Sequence, residues 1–266
     1  MPKYLLYISI IVPSVIVCLG VVVYLYQEHL IFYPEKLSEK YSFKFDIPFE
    51  EYNITTPDGE KLNVLLFKSD SAKGLIFYHH GNAGSLQNWG QKAKDFTNRG
   101  FDVLMYDYRG FGKSTGTIKN EKMLYKDALL IYNELITTSN YNKVIYYGIS
   151  LGSGIAAKLA HENTPPYKLI LETPYSNFYE VAKFHYPYLP NSILLHYQFK
   201  TNKWLPDITV PIHLIHGTED ETVPYEMSLQ LKQISNNIDL CTIEYGSHNN
   251  LNTFEAYQNY LDKILN

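Results

Sequence analysis

The stretch KVIYYGISLGSGIAAKLAHE, residues 143–162, decides how this chain folds. Its first seven residues, 143–149, are mostly β-branched, aromatic or apolar and predict a buried strand. Residues 151–162 are rich in small side chains and predict a helix that starts at once. Ser150 stands between them, inside Gly148-Ile149-Ser150-Leu151-Gly152. A serine between strand and helix, with glycines two residues before and after it, is typical of a nucleophile elbow.

Strands and helices alternate along the rest of the chain. Short apolar strands that alternate with helices predict a mostly parallel sheet covered on both faces. Functional groups gather at the carboxyl ends of the strands in such sheets. The predicted strands cover 52–56, 62–68, 74–80, 101–107, 143–149, 168–172, 212–216 and 239–244, and the predicted helices cover 88–99, 121–137, 151–162, 225–234 and 253–264.

Length and composition indicate a globular protein. The chain has 266 residues, of which 45% are apolar, so a disordered chain is excluded. The 23 basic and 27 acidic residues give a net charge of −4, and no dense basic run is present. Nucleic-acid binding therefore has no electrostatic support.

The N-terminal segment predicts a transmembrane helix over residues 4–27, which carry no charge and are rich in Ile, Val and Leu. As a helix this segment would reach roughly 36 Å, against a hydrocarbon core of about 30 Å. A cleaved signal peptide and a buried helix are the alternatives, but no small-x-small cleavage site is evident. Lys3 ahead of the helix favours a cytoplasmic N-terminus. We therefore expect a single-pass membrane protein, with the side of the membrane left open.

A serine nucleophile needs a base, because its hydroxyl is unreactive alone. In the order Ser, Asp or Glu, His, the base follows the last strands. His248, in YGSHNN (residues 245–250), is the only histidine after residue 216. We predict that His248 is the base; the alternative is a solvated loop histidine.

The acid of such a triad is predicted to be Asp220, in HGTEDETVP (residues 216–224). This loop lies between a strand and a helix, and the carboxylate would hold the imidazole in the required tautomer. Glu219 and Glu221 are neighbours that could take the same role. Glu172, at the end of an earlier strand, is less favoured.

The backbone also has to donate to the oxyanion of the tetrahedral intermediate. The N–H of Leu151, next after the nucleophile, is one predicted donor. The N–H of Asn82 is the other, in the loop that follows strand 74–80, with Ala83 as a near alternative. For His79 and His80 we expect a structural role in this loop rather than one as bases or metal ligands. We expect no metal ion and no cofactor.

The glycine-rich stretch DYRGFGKS, residues 107–114, also follows a strand. It lacks the GxxxxGK[ST] spacing of a phosphate-binding loop. We expect Arg109 to brace neighbouring loops by charged hydrogen bonds.

The motifs HHGNAG, DYRGFGKSTG, GISLG, HGTEDETVP and GSHNN occur in this order over residues 50–266. Together they resemble the membrane-anchored α/β-hydrolase-domain proteins and the related serine aminopeptidase-like hydrolases. The resemblance implies the α/β-hydrolase fold with a small helical cap. It also implies a reaction class, since some relatives are esterases or remove acyl groups from proteins, and leaves the substrate open.

Carried over motif by motif, the resemblance implies Ser150 as nucleophile, Asp220 as acid and His248 as base. It implies Asn82 and Leu151 as oxyanion donors. We therefore expect a serine hydrolase that cleaves carboxylic esters or thioesters through an acyl-enzyme, with lipids or lipidated proteins among its candidate substrates. A peptidase for short peptides, using Glu219 or Glu221 to bind the substrate amine, and a non-catalytic binding protein are the alternatives. The oligomeric state is left open.

The expected organisation is a transmembrane helix at 4–27, a linker and first strand at 28–50, and the hydrolase domain at 51–266. Within the domain, residues 177–207 form an insert rich in Tyr, Phe and Leu. This predicted cap either walls an acyl-chain site over Ser150 or packs on the sheet with its aromatic residues in the core. The sequence favours neither.

Overall fold

The computed structural model describes residues 3–162 and 165–266; the side chains of residues 3–6, 8–10 and 12 lie outside this description. At its centre is an eight-stranded sheet in the order β10-β9-β8-β7-β4-β6-β3-β2. A separate two-stranded sheet pairs β1 with β5. The strands are β1 Tyr33–Pro34, β2 Phe49–Thr55, β3 Lys61–Phe67, β4 Gly74–His79, β5 Ala83–Gly84, β6 Phe101–Tyr106, β7 Val144–Ile149, β8 Lys168–Glu172, β9 Ile212–Gly217 and β10 Ile238–Ile243.

Six strands of the large sheet, β4 and β6 to β10, run parallel. The antiparallel strands β2 and β3 extend it at one edge. The helices are α1 Lys3–Tyr26, α2 Glu28–Ile31, α3 Leu86–Trp89, α4 Ala93–Thr97, α5 Glu121–Ile131, α6 Leu151–Glu162, α7 Phe178–His185, α8 Asn191–Leu194, α9 Thr201–Trp204, α10 Tyr225–Lys232 and α11 Glu255–Leu265. The predicted α/β architecture with a mostly parallel sheet is confirmed.

Two apolar cores lie on opposite faces of the sheet, because side chains alternate along each strand. Phe77 and Tyr146 face a core that includes residues of α5 and α6. Tyr78 and Tyr147 face the other core, which includes residues of α4 and α11. Helices therefore cover both faces, as a parallel sheet requires.

Two predicted helices are broken. The helix predicted over 88–99 consists of α3 and α4, separated by a 3₁₀ turn at Gly90–Lys92. Gly90 lies against the ring of Phe45, so the chain is fixed there by a contact that the local sequence does not reveal. The helix predicted over 121–137 ends as α5 at Ile131 and continues as a π-helical turn, Tyr132–Ile136.

The N-terminal helix requires a correction. Although α1 spans Lys3–Tyr26, no helix within the described residues is long and apolar enough to cross a membrane. This finding overturns the transmembrane helix at 4–27 and the single-pass membrane localisation. Positions 4–6, 8–10 and 12 of that prediction lie outside the described side chains.

The insert, residues 177–207, carries α7, α8 and α9 between β8 and β9. Near its end, Tyr197, Phe199 and Trp204 are buried in the core. Large apolar residues at its tip are 43–98% exposed, namely Phe184, Tyr186, Tyr188, Leu189 and Ile193. Part of the insert therefore completes the core and part presents an apolar surface.

Arg109 braces two neighbouring elements, as predicted. Its guanidinium donates to both carboxylate oxygens of Asp127 on α5, at 2.7 and 2.9 Å. It also donates to both oxygens of Asp58 in the β2–β3 turn, at 2.7 and 2.9 Å. Asp127 is buried and Asp58 is exposed. Loss of the contact with Asp127 should therefore lower the free energy of unfolding more than loss of the contact with Asp58.

Replacing Arg109 by methionine should lower the free energy of unfolding by about 3 kcal/mol, because Asp127 would stay buried without its partner. Urea unfolding followed by fluorescence measures the loss. The control is Asp58→Asn, which should cost much less since water solvates that carboxylate. An Arg109→Met protein as stable as the unmodified chain would contradict this account.

Candidate active site

Ser150 occupies a sharp turn between β7 and α6, with a φ of 51°. Few residues other than glycine adopt this conformation, so the turn holds strain. A Cβ on Gly152 would overlap the carbonyl oxygen of His79, so the neighbouring strand leaves room only for glycine there. The N–H of Ser150 donates to the carbonyl of Glu172 at the end of β8, at 2.9 Å. The turn is thus fixed from both sides, and it presents the serine at the carboxyl edge of the sheet.

His248 joins Ser150 to Asp220. Its Nε2 lies 3.0 Å from Ser150 Oγ, and its Nδ1 lies 2.7 Å from Asp220 Oδ2. Because an ionised carboxylate only accepts hydrogen bonds, Nδ1 carries the proton and Nε2 is free to accept from the serine hydroxyl. The structure therefore brings together the three residues that the sequence picked out, in the geometry of a serine nucleophile with its base and acid.

The carboxyl group of Asp220 is buried and accepts four hydrogen bonds. Oδ1 accepts from the backbone N–H groups of Thr222 and Val223, each at 2.8 Å. Oδ2 accepts from His248 and, at 3.1 Å, from His216 Nε2. Burial alone would raise the pKa of Asp220, but the hydrogen bonds from the two histidines outweigh it and hold the pKa well below its usual range. Asp220 is therefore ionised at neutral pH.

The loops that carry Asp220 and His248 pack backbone against backbone. A Cβ on Gly217 would overlap the carbonyl oxygen of Gly246, so these two glycines allow the close approach. The N–H of Glu219 donates to the same Gly246 carbonyl at 2.9 Å. This contact fixes Asp220 relative to His248 before substrate arrives.

The other candidate acids lie elsewhere. Glu219 and Glu221 point to solvent from either side of Asp220. The carboxyl group of Glu172 is buried against the hydroxyl groups of Tyr147 and Tyr257, and this burial raises its pKa. Glu172 therefore supports the elbow through its backbone carbonyl rather than through its carboxylate.

The loop after β4 lies close to Ser150. A Cβ built on Gly81 would stand 3.9 Å from the Cβ of Ser150. Within the described part of the chain, the N–H groups of Asn82 and Leu151 donate to no other group. Both are therefore available to an oxyanion formed at Ser150.

His79 and His80 are fully buried at the base of this loop. Burial lowers the pKa of His79 to about 3 and that of His80 to about 4, so both rings are neutral. His79 Nδ1 bonds the Tyr106 hydroxyl at 2.9 Å, and His80 Nδ1 lies 2.7 Å from the carbonyl oxygen of Gly81. These contacts agree with the expected structural role.

Asp107 faces His80 with its carboxyl group buried. Burial raises the pKa of Asp107 to about 8, so the carboxyl is mostly neutral at pH 7. Its Oδ1 accepts from the N–H of Leu86 at 3.0 Å and lies 3.6 Å from His80 Nε2. Asp107 thus fixes the start of α3, whereas His80 Nε2 lies beyond hydrogen-bond distance of its carboxyl group.

His216 also contacts Asp220, although the sequence patterns do not single it out. Its Nε2 faces two acceptors, Asp220 Oδ2 and the carbonyl of Val223 at 2.9 Å, so this nitrogen carries the proton. Its Nδ1 lies 2.6 Å from Ser228 Oγ, which donates to it. The sequence signal that could have indicated it is a histidine near the end of a buried strand, four residues before Asp220.

Replacing His216 by phenylalanine should reduce kcat by roughly 10- to 100-fold, because Asp220 would lose one of its charged hydrogen bonds. KM should change little, since the ring is fully buried and no substrate can contact it. Ester hydrolysis under steady-state conditions measures both constants.

His213→Phe is the matched control, because His213 lies on the same strand but bonds Tyr260 instead of the acid. It should leave kcat unchanged. An unchanged kcat in His216→Phe would show that the ring does not orient Asp220.

Comparisons with known proteins agree with this geometry. Residues 70–186 match the family described as serine aminopeptidase, S33. The lysophosphatidylserine lipase ABHD12 of Macaca fascicularis is 31% identical over 188 residues, which cover 62% of this chain and 46% of the lipase. The chain thus spans less than half the length of that relative. An uncharacterized protein of Acanthamoeba polyphaga mimivirus, R595, is 30% identical over 235 residues, covering 80% of each chain.

Among solved structures, the esterase Pf2001 of Pyrococcus furiosus superimposes with a TM-score of 0.70. The match covers 88% of this chain and 97% of the esterase, at 19% sequence identity. At that identity the similarity establishes the fold.

Proposed function

Since the chain belongs to the serine aminopeptidase-like family of α/β hydrolases, we propose that it is an enzyme that hydrolyses carboxylic ester or thioester bonds. The observation that carries the proposal is the continuous hydrogen-bond path from Ser150 Oγ through His248 to Asp220. In this proposal Ser150 is the nucleophile, His248 the general base and acid, and Asp220 the residue that orients and stabilises the imidazolium.

In the first half of the reaction, Ser150 Oγ attacks the carbonyl carbon while its proton passes to His248 Nε2. The imidazolium then forms beside the ionised Asp220, which favours the charge. His248 gives the proton to the departing alcohol or thiol, leaving the acyl group on Ser150. In the second half, water gives a proton to the same nitrogen and its oxygen attacks the acyl carbon. The bond from that carbon to Ser150 Oγ then breaks, His248 returns the proton to Oγ, and the carboxylic acid leaves.

The negative charge of the tetrahedral intermediate would be bound by the N–H groups of Asn82 and Leu151. Leu151 is the first residue of α6, so the helix dipole adds to its hydrogen bond. Removing one such donor typically costs about 3 kcal/mol of transition-state stabilisation.

We propose a monoacyl lipid or a similar acyl ester as the substrate class. The exposed apolar residues at the tip of the insert favour an acyl chain, and the insert would then act as the small cap over Ser150. His185, at the end of α7, contacts the carbonyl of Thr222 at 2.8 Å, so the tip lies beside the acid loop. The relative named as a lysophosphatidylserine lipase supports the same class.

A fluorophosphonate probe should label the protein, and Ser150→Ala should lose both the label and several orders of magnitude in ester hydrolysis. Its melting temperature should change little, because the hydroxyl is removed without altering the turn. Ser153→Ala, three residues further on, should keep the label. A folded, unmodified chain that the probe does not label would contradict the proposal.

p-Nitrophenyl esters of graded length then define the substrate. We expect kcat/KM to rise from acetate to the longer acyl chains, and Phe184→Ser to flatten that rise. Leu229→Ser, which replaces an exposed apolar residue on α10, is the matched control. Hydrolysis of aminoacyl amides but not of acyl esters would identify the peptidase alternative instead.

A further inference from the structure

Residues 27–36, which we call the strap, follow α1 and include α2 and β1. We propose that the strap positions the loop that carries the Asn82 N–H, so that the segment before the hydrolase domain is part of the catalytic architecture. The inference rests on the proposed function, because it assigns the strap a role in stabilising the oxyanion.

The strap pairs directly with the loop over Ser150. The N–H of Tyr33 donates to the carbonyl of Asn82 at 2.8 Å, and the N–H of Glu35 donates to the carbonyl of Gly84 at 2.9 Å. These bonds belong to the parallel pairing of β1 with β5. The side-chain amide of Asn82 also donates to the carbonyl of Ile31, at 2.6 Å. Asn82 is therefore held by the strap through both its backbone and its side chain.

The peptide that carries the Asn82 N–H is fixed on its other side by His80. Its carbonyl oxygen belongs to Gly81 and lies 2.7 Å from His80 Nδ1. A peptide group is planar, so fixing the carbonyl of Gly81 fixes the direction of the following N–H. The strap bonds Asn82 and His80 bonds the carbonyl of Gly81, so the direction of the Asn82 N–H is fixed.

At its other end the strap is anchored to the insert. Gln27 is buried; its amide nitrogen donates to the carbonyl of Leu194 at 3.0 Å, and its amide oxygen accepts from the N–H of His196 at 2.8 Å. Glu28 accepts from the Tyr197 hydroxyl at 3.2 Å. The strap therefore connects the insert that would cover the substrate with the loop that would bind the oxyanion.

Without the strap, the surface loop at residues 82–83 would have little to hold it in one conformation. Ala83 is exposed and Asn82 is half-buried, so apolar packing contributes little to holding residues 82–83. An oxyanion donor accelerates the reaction only if it is oriented before charge develops. The strap supplies that orientation through backbone hydrogen bonds, and a change there should act on the transition state rather than on substrate binding.

Two variants of the full chain test the inference. Tyr33→Pro removes the N–H that donates to Asn82, and Asn82→Ala removes the side-chain bond to Ile31 while keeping the backbone N–H. Tyr33→Phe is the matched control, because it removes only a hydroxyl bonded to Leu30. We expect each test variant to lower kcat about 10-fold with KM unchanged, and the control to match the unmodified chain.

A trifluoromethyl ketone with an alkyl chain distinguishes positioning from general destabilisation. It forms a tetrahedral adduct with the serine, so its affinity depends on the oxyanion donors. We expect its inhibition constant to weaken by the same factor as kcat. If kcat falls while the inhibition constant of the active fraction is unchanged, the strap is only structural and the inference is wrong.

Asn82→Ala decides the matter if Tyr33→Pro does not fold, because that variant alters only a half-buried side chain. Normal kcat and normal ketone affinity in Asn82→Ala would overturn the inference. Failure of the proposed function looks different: the unmodified chain itself would then neither hydrolyse esters nor react with the fluorophosphonate.

Discussion

The close contact between the Ser150 turn and its neighbouring strands is the constraint on which the rest of the site depends. With a φ of 51°, Ser150 is in a conformation that costs free energy, and it persists because Gly152 lies against β4 while the Ser150 N–H bonds the end of β8. The same packing brings the loop after β4 over the serine and starts α6 with a free N–H at Leu151. The positions of the proposed nucleophile and of both proposed oxyanion donors thus follow from one arrangement of strands.

Two buried aspartates near this turn differ in ionisation at neutral pH. Asp220 accepts hydrogen bonds from His216, His248 and two backbone N–H groups, so its carboxylate stays ionised despite burial. Asp107 accepts from one backbone N–H, and burial raises its pKa to about 8. The number of donors that reach each carboxyl explains the difference. An ionised acid suits the imidazolium that the proposed mechanism requires, whereas a neutral one fits among buried neutral histidines.

Sequence patterns predicted the sheet, because strand periodicity is visible in each short segment. They also predicted that Ser150, Asp220 and His248 come together, because the order of these residues along the chain is typical of a triad. They did not reveal His216, the backbone role of Glu172 or the strap, because each depends on which distant segments meet in the fold. The break at Gly90 likewise depends on Phe45, far away in sequence. The single-pass membrane prediction rested on the length and the uncharged, apolar composition of residues 4–27, and the described helices do not support it.

The most direct test of the account is a high-resolution structure of the protein after reaction with a fluorophosphonate. We expect phosphorus bonded to Ser150 Oγ, with the phosphonyl oxygen about 3 Å from the backbone nitrogens of both Asn82 and Leu151. The strap should still pair with residues 82–84. An adduct on another residue, or a phosphonyl oxygen turned away from both nitrogens, would contradict it.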